Sequence, residues 1–215
     1  MPYTYDISKR QKEVSEREWD IAQIETRFGN LVSNGISQKN LDPQKMLRDK
    51  EAILERVQRQ AEEYCYLTRN CAKGSATALF EEFGLGNVEI IRGLAPFPGI
   101  AMSGGICGPV TGGLITLGLF FSNKNVTDHD TARAYMYSRM FIKKFEAVFG
   151  SLYCPDIQEK LLGKYFDPMA SMENMKEFNS SNARGNCTVA PGIGARIVAE
   201  IIIAVSYTHL TLPTK

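Results

Sequence analysis

The stretch from Gly93 to Asn123 carries no Asp, Glu, Lys or Arg. An uncharged run of that length fits either a membrane span or the inside of a fold. Prolines at 96, 98 and 109 and glycines at 99, 104, 105, 108, 112, 113 and 118 interrupt it. Its uninterrupted helical part, Pro109 to Phe121, is too short to cross ~30 Å of hydrocarbon at about 1.5 Å per residue. The segment therefore reads as a loop followed by a buried core helix, and membrane insertion is disfavoured. Gly104, Gly108 and Gly112 form a small-residue face that another helix can approach closely.

The flanking sequence is helical in pattern. Apolar residues at Val14, Ile21, Ile24, Phe28 and Leu31 predict one amphipathic helix from Ser8 to Val32, ended by Asn34-Gly35. Asp42-Pro43 reads as an N-cap followed by proline at the first helical position. Leu47, Ile53/Leu54 and Val57 then predict a second helix running towards Tyr64. These two helices are ordinary bundle helices or a dimerising hairpin. Thr68 to Phe83 is small and apolar, with Gly84 and Gly86 as stops. Thr131 to Phe149 predicts a strong helix with Tyr135, Met136, Met140, Phe141, Phe145 and Val148 inward. Short helices follow over 155–162 and 168–178, then a polar loop over 180–186 and a last helix over 190–204. No strand alternation is visible, so the class is all-α: a compact helical bundle with a buried Gly-rich central helix and an N-terminal helical extension.

At 215 residues the chain suits one domain with an extension, divided here as 1–60 and 61–204. Apolar residues make up 44% and charged residues 23%, which excludes a wholly disordered chain. A net charge of +1 offers no basic field for nucleic acid. The first twenty residues hold no apolar leader, so a cytoplasmic location is expected. Residues 205–214, VSYTHLTLPT, match a one-frame translation of the transposon-end adapter used in shotgun sequencing. On that reading 205–215 is not native and is set aside. Of the two histidines, His209 goes with it and His129 stays, which leaves little for a His-based metal site or a Ser-His-Asp triad.

Chemistry then rests on five cysteines. Cys107 precedes Gly108-Pro109, Cys154 precedes Pro155-Asp156 and Cys187 precedes the last helix. All three fall at predicted helix starts, where free N–H groups and the helix dipole favour a thiolate. A thiol-based site and inert core cysteines both remain open on spacing alone. There is no CxxC pair. Cys107-Gly108-Pro109 matches the first three residues of a thioredoxin-type CGPC, but Val110 takes the fourth place. A second thiol must therefore come from elsewhere in the fold. Cys65 and Cys71 are not on a helical repeat and are expected to point to different sides. Cys71 is favoured for the site, and Cys65 is taken as packed between two tyrosines.

From about Tyr64 to Ile203 the chain resembles the small redox-active proteins named for their C_GCAxxG_C_C pattern. The resemblance lies in Asn70-Cys71-Ala72, in Ile106-Cys107-Gly108-Pro109-Val110-Thr111-Gly112 with the helix after it, in Phe149-Gly150-Ser151 with Cys154, and in Cys187. Pro109 stands where that family usually has Ala, Pro96-Phe97-Pro98 interrupts a stretch usually richer in glycine, and Cys65 is extra. The resemblance implies a helical, thiol-bearing protein with Cys71, Cys107, Cys154 and Cys187 as site residues, often encoded beside transporter genes.

The leading expectation is a thiol–disulfide oxidoreductase, with Cys107 as attacking thiolate, Cys71 or Cys154 resolving, and Cys187 completing or modulating a pair. The alternative is a metal protein in which the same four thiolates hold zinc or an iron–sulfur cluster. A third is a purely structural interaction bundle. A redox or transport partner and a homodimer are compatible with the first two. Nucleotide binding at Gly104-Gly105 lacks the P-loop Lys and a preceding strand. Asp128-His129-Asp130 is read as the cap of the Thr131 helix, and Lys143-Lys144 as its solvated face.

Overall fold

A computed structural model describes residues 5–211, with side chains described for 5–207. The elements are α1 (Ile7–Ser15), α2 (Ile21–Asn34), α3 (Pro43–Arg48), α4 (Lys50–Thr68), α5 (Cys71–Phe83), α6 (Val88–Gly93), α7 (Gly99–Met102), α8 (Gly108–Phe121), α9 (Ala132–Phe149), α10 (Cys154–Leu162), α11 (Met172–Ser180), α12 (Ala183–Asn186) and α13 (Val189–Thr211). Among the described residues the only β-type pairing is an isolated antiparallel bridge between Ile106 and Tyr153. The fold is all-α, as the periodicity predicts.

Local sequence sets most helix ends. Asp6, Asp20, Asp42, Asn70, Asn87 and Ser171 each cap a helix by accepting a backbone N–H. Gly84, Gly150 and Gly163 close helices in the left-handed conformation. The expected single helix over 8–32 is in fact two. The chain leaves α1 after Ser15, and Asp20 caps a new helix through Gln23 N at 3.0 Å. The expected second helix is also divided, with Asp49 ending α3 and starting α4.

α13 is the spine of the bundle. It packs against α3, α4, α5, α8 and α9, and Ile193, Ile197, Val198, Ile202 and Ile203 on it are fully buried. The helical stretch Ala183–Tyr207 is long and apolar enough to cross a membrane by composition, yet 83% of its apolar window is buried inside the fold. The uncharged segment flagged in the sequence forms the 14-residue α8, about 21 Å long. The 205–215 segment continues α13 as far as Thr211, and its residues beyond that, like the side chain of His209, lie outside the described residues.

α9 corrects one expectation. Phe141, Phe145, Val148 and Phe149 are buried, but Tyr135, Met136 and Met140 are exposed. The inward stripe continues through Tyr137 and Ala134, which pack on the core, and this phase turns 135, 136 and 140 outward. Lys144 is also not simply solvated: it pairs with Glu200 of α13 at 2.9 Å. Asp130 accepts from Ala132 N at 3.3 Å, so the 128–130 cluster does serve the start of α9.

Glycines let the helices close on one another. A Cβ on Gly74 of α5 would lie 2.7 Å from Ala61 O and from Cys65 Cβ of α4. On α8, a Cβ on Gly108 would meet Cys71 Sγ and, at 2.6 Å, Ala72 N of α5. One on Gly112 would meet Ser75 Oγ and, at 2.7 Å, Ala72 O. Gly104, expected on the same face, instead lies in the loop before α8 with φ +79°.

Gly112→Ala should therefore cost ~1–3 kcal/mol of stability in urea unfolding, since a methyl there must displace backbone. Gly118→Ala on the same helix has nothing within 4 Å of the added carbon. It should be neutral or stabilising by up to ~1 kcal/mol. Equal effects at the two positions would contradict the close-contact account.

Candidate functional site

All five cysteines line one cavity of about 420 Å³. Cys65 comes from the end of α4, Cys71 starts α5, Cys107 is the N-cap of α8, Cys154 starts α10 and Cys187 follows α12. Cys65 and Cys107 are buried, while Cys71, Cys154 and Cys187 are half-buried. The four residues singled out in sequence are thus brought together. The fifth, Cys65, was set aside and belongs with them. The expectation that Cys65 and Cys71 face different sides fails because they do not share a helix. The chain turns at Arg69, in the left-handed conformation at φ 52°, and α5 folds back on α4 through Gly74. Spacing arguments hold only within one helix, and no residue near Arg69 signals a stop as glycine or proline would.

Cys107 and Cys154 are placed by backbone pairing. Cys107 N donates to Leu152 O, and Cys154 N donates to Gly105 O, both at 2.9 Å. These bonds flank the Ile106–Tyr153 bridge. In an antiparallel pair, side chains alternate faces, so Cys107 and Cys154 fall on one face as diagonal neighbours. Each then enters its own helix, α8 or α10. Neither helix start receives a side-chain cap, in contrast to α5, where Asn70 accepts from Lys73 N at 2.9 Å. The first turns of α8 and α10 therefore direct N–H groups and dipole towards the cysteine end.

The two thiols are electrostatically unequal. The Cys107 thiol donates a hydrogen bond to Cys154, which holds the Cys154 pKa down at about 7 against the opposing effect of burial. Gln158, one turn along α10, adds a second donor with its Nε2 at 3.4 Å from Cys154 Sγ. Gln158 is itself fixed, because its Oε1 accepts from Phe166 N at 3.1 Å. Cys107 moves the other way: its hydrogen bonds to Cys154 and Cys71, together with burial, raise its pKa well above that of an ordinary thiol. Burial likewise pushes up Cys187 and Cys65.

The surroundings of Cys154 are strained. Gly99, Ile100, Ala101 and Met102 all have φ between 49° and 58°. This left-handed turn costs roughly 1–2 kcal/mol at each non-glycine position. It packs against Cys154: a Cβ on Gly99 would sit 3.4 Å from Cys154 Sγ. Met102, Ile157, Leu161, Phe166 and Phe178 supply apolar wall, and Arg69, Tyr165 and Arg184 are polar lining residues. Arg184 is held in a ladder that sequence reasoning missed. Its guanidinium lies 4.2 Å from the Tyr66 ring, Tyr66 stacks on Trp19 at 4.2 Å, and Arg17 covers Trp19 at 4.9 Å. Arg17 in turn bonds the fully buried Glu62 at 2.7 Å, as does Arg10. The N-terminal helices are thereby connected to the cavity through contacts between residues far apart in sequence. Among the described residues, no group of three or more His, Cys, Asp or Glu side chains is gathered as a metal ion would require.

Neither the curated proteins nor the solved structures contain a match to the chain. A family model described as "Putative redox-active protein (C_GCAxxG_C_C)" matches residues 69–201, well over half of the 215. Cys71, Cys107, Cys154 and Cys187 lie inside the match and Cys65 lies just before it. The chain belongs to the C_GCAxxG_C_C family.

Proposed function

We propose that the protein carries out thiol–disulfide exchange, with Cys154 as the attacking thiolate and Cys107 as the resolving thiol. The observation that carries this reading is that the Ile106–Tyr153 bridge sets half-buried Cys154, at the start of α10, beside buried Cys107, with Gln158 Nε2 3.4 Å from Cys154 Sγ. It reverses the order suggested by sequence, in which Cys107 attacks. Helix starts favour a thiolate at both cysteines, so the helix argument cannot choose between them. Exposure and the local donor can: Cys154 is half-buried and accepts from Gln158 Nε2, whereas Cys107 is enclosed.

The chemistry balances as follows. The Cys154 thiolate attacks one sulfur of a disulfide R–S–S–R′, forms a Cys154–S–S–R mixed disulfide and expels R′S⁻, which takes a proton from water. Cys107 then loses its proton and attacks Cys154 Sγ, forming the Cys107–Cys154 disulfide. The departing RS⁻ takes up the proton. Two electrons leave the protein and two thiols are released, and the reverse sequence oxidises a dithiol. A thiol titrating near ambient pH suits the first step, because it combines a large thiolate fraction with retained nucleophilicity. Cys71 hydrogen-bonds Cys107 and is a positioning residue for it.

Alkylation of Cys154 by iodoacetamide, read by peptide mass, should rise with pH to half its maximal rate near pH 7. Cys107→Ala removes the donor and should move that midpoint up, towards the ordinary thiol value of about 8.5. Cys107→Ser keeps a hydroxyl donor and should move it less. A midpoint unaffected by either substitution would show that Cys107 does not stabilise the thiolate.

With a small disulfide as substrate, Cys154→Ser should abolish exchange. Cys107→Ser should instead accumulate a mixed disulfide on Cys154 that is stable to gel filtration and released by reductant. Accumulation on Cys107 in the Cys154→Ser protein would restore the opposite order of attack.

A further inference from the structure

We propose that the cysteine cavity takes a low-molecular-weight disulfide bearing carboxylate groups. The inference rests on the exchange reading above and adds the class of substrate. The cavity volume of about 420 Å³ lies within the range of small-molecule sites, roughly 300–1,000 Å³. Its lining holds two arginines, Arg69 and Arg184, and no Asp or Glu. Neither arginine takes part in a salt bridge among the described residues.

Arg69 occupies the left-handed position that ends α4, where glycine is the usual occupant, and its side chain lines the cavity. Arg184 is fixed by the stack of Tyr66, Trp19 and Arg17, and its Nε donates to Tyr66 O at 3.2 Å. The stack orients a guanidinium that offers further N–H donors to a carboxylate. Ile157, Leu161 and Phe166 line the same cavity and supply apolar surface for methylene groups. The exchange follows the steps above, with carboxylates on both R and R′.

The test uses the full-length protein at low ionic strength and three disulfides: dianionic 3,3′-dithiodipropionate, neutral bis(2-hydroxyethyl) disulfide and dicationic cystamine. Rates are divided by those of a free thiol with the same disulfides, which removes their intrinsic reactivity. The normalised rate should be at least tenfold higher for the dianion than for the dication. Arg69→Gln with Arg184→Gln should bring the ratio of dianion to dication near one. Trp19→Ala should lower the ratio part of the way, through Arg184. A ratio near one in the wild-type protein overturns the proposal.

Binding of the non-reducible thioether 3,3′-thiodipropionate, measured calorimetrically, separates the two claims. Arginine-dependent binding without exchange on any disulfide would sink the exchange reading and keep the anion site. Exchange with all three disulfides at equal normalised rates and no thioether binding would sink the anion site and keep the exchange.

Discussion

The close approach of α8 to α5 is the contact on which the site depends. Gly108 and Gly112 present no side chain to α5, so backbone meets backbone along Ala72 and Ser75. Any larger residue at Gly108 would occupy the space of the Cys71 sulfur. The contact therefore does more than fill the core: it sets Cys107, the residue before Gly108, against the first turn of α5. The same device joins α5 to α4 at Gly74 and carries Cys65 to the same place. Small residues in this fold bring sulfur atoms together that lie on different helices.

A second constraint divides the labour between the gathered thiols. The isolated bridge between Ile106 and Tyr153 fixes Cys107 and Cys154 side by side before either helix begins. Hydrogen bonding to Cys154 and Cys71, together with burial, holds the proton on Cys107 and favours negative charge on Cys154. On the proposed exchange reading, half-buried Cys154 attacks first and enclosed Cys107 second.

The helical class, the glycine stops and the Asp42 and Asn34-Gly35 boundaries were legible in sequence, because each depends on a few adjacent residues. The grouping of Cys71, Cys107, Cys154 and Cys187 was legible from the family resemblance; helix starts marked only Cys107, Cys154 and Cys187 and left inert core cysteines open. What could not be read depends on distance in the chain. The turn at Arg69 has no glycine or proline to announce it, so Cys65 was separated from Cys71. The breaks at residues 16–20 and at Asp49 interrupt a continuous apolar period, and the Asp20 cap that restarts the chain as α2 is a local signal that the period masked. The Arg17–Trp19–Tyr66–Arg184 ladder spans most of the sequence and has no local signature. The unequal titration of Cys107 and Cys154 needed their relative burial, which two similar helix-start motifs do not encode.

The central claim is that Cys107 and Cys154 form the working pair among five neighbouring thiols. The most direct measurement equilibrates the full chain in redox buffers of increasing potential, quenches by alkylation and maps disulfides by peptide mass. The account predicts that the first disulfide to form joins Cys107 to Cys154, and that Cys65 and Cys187 are still alkylated as thiols at that potential. A first disulfide joining any two of Cys65, Cys71 and Cys187, with Cys154 left free, would contradict it.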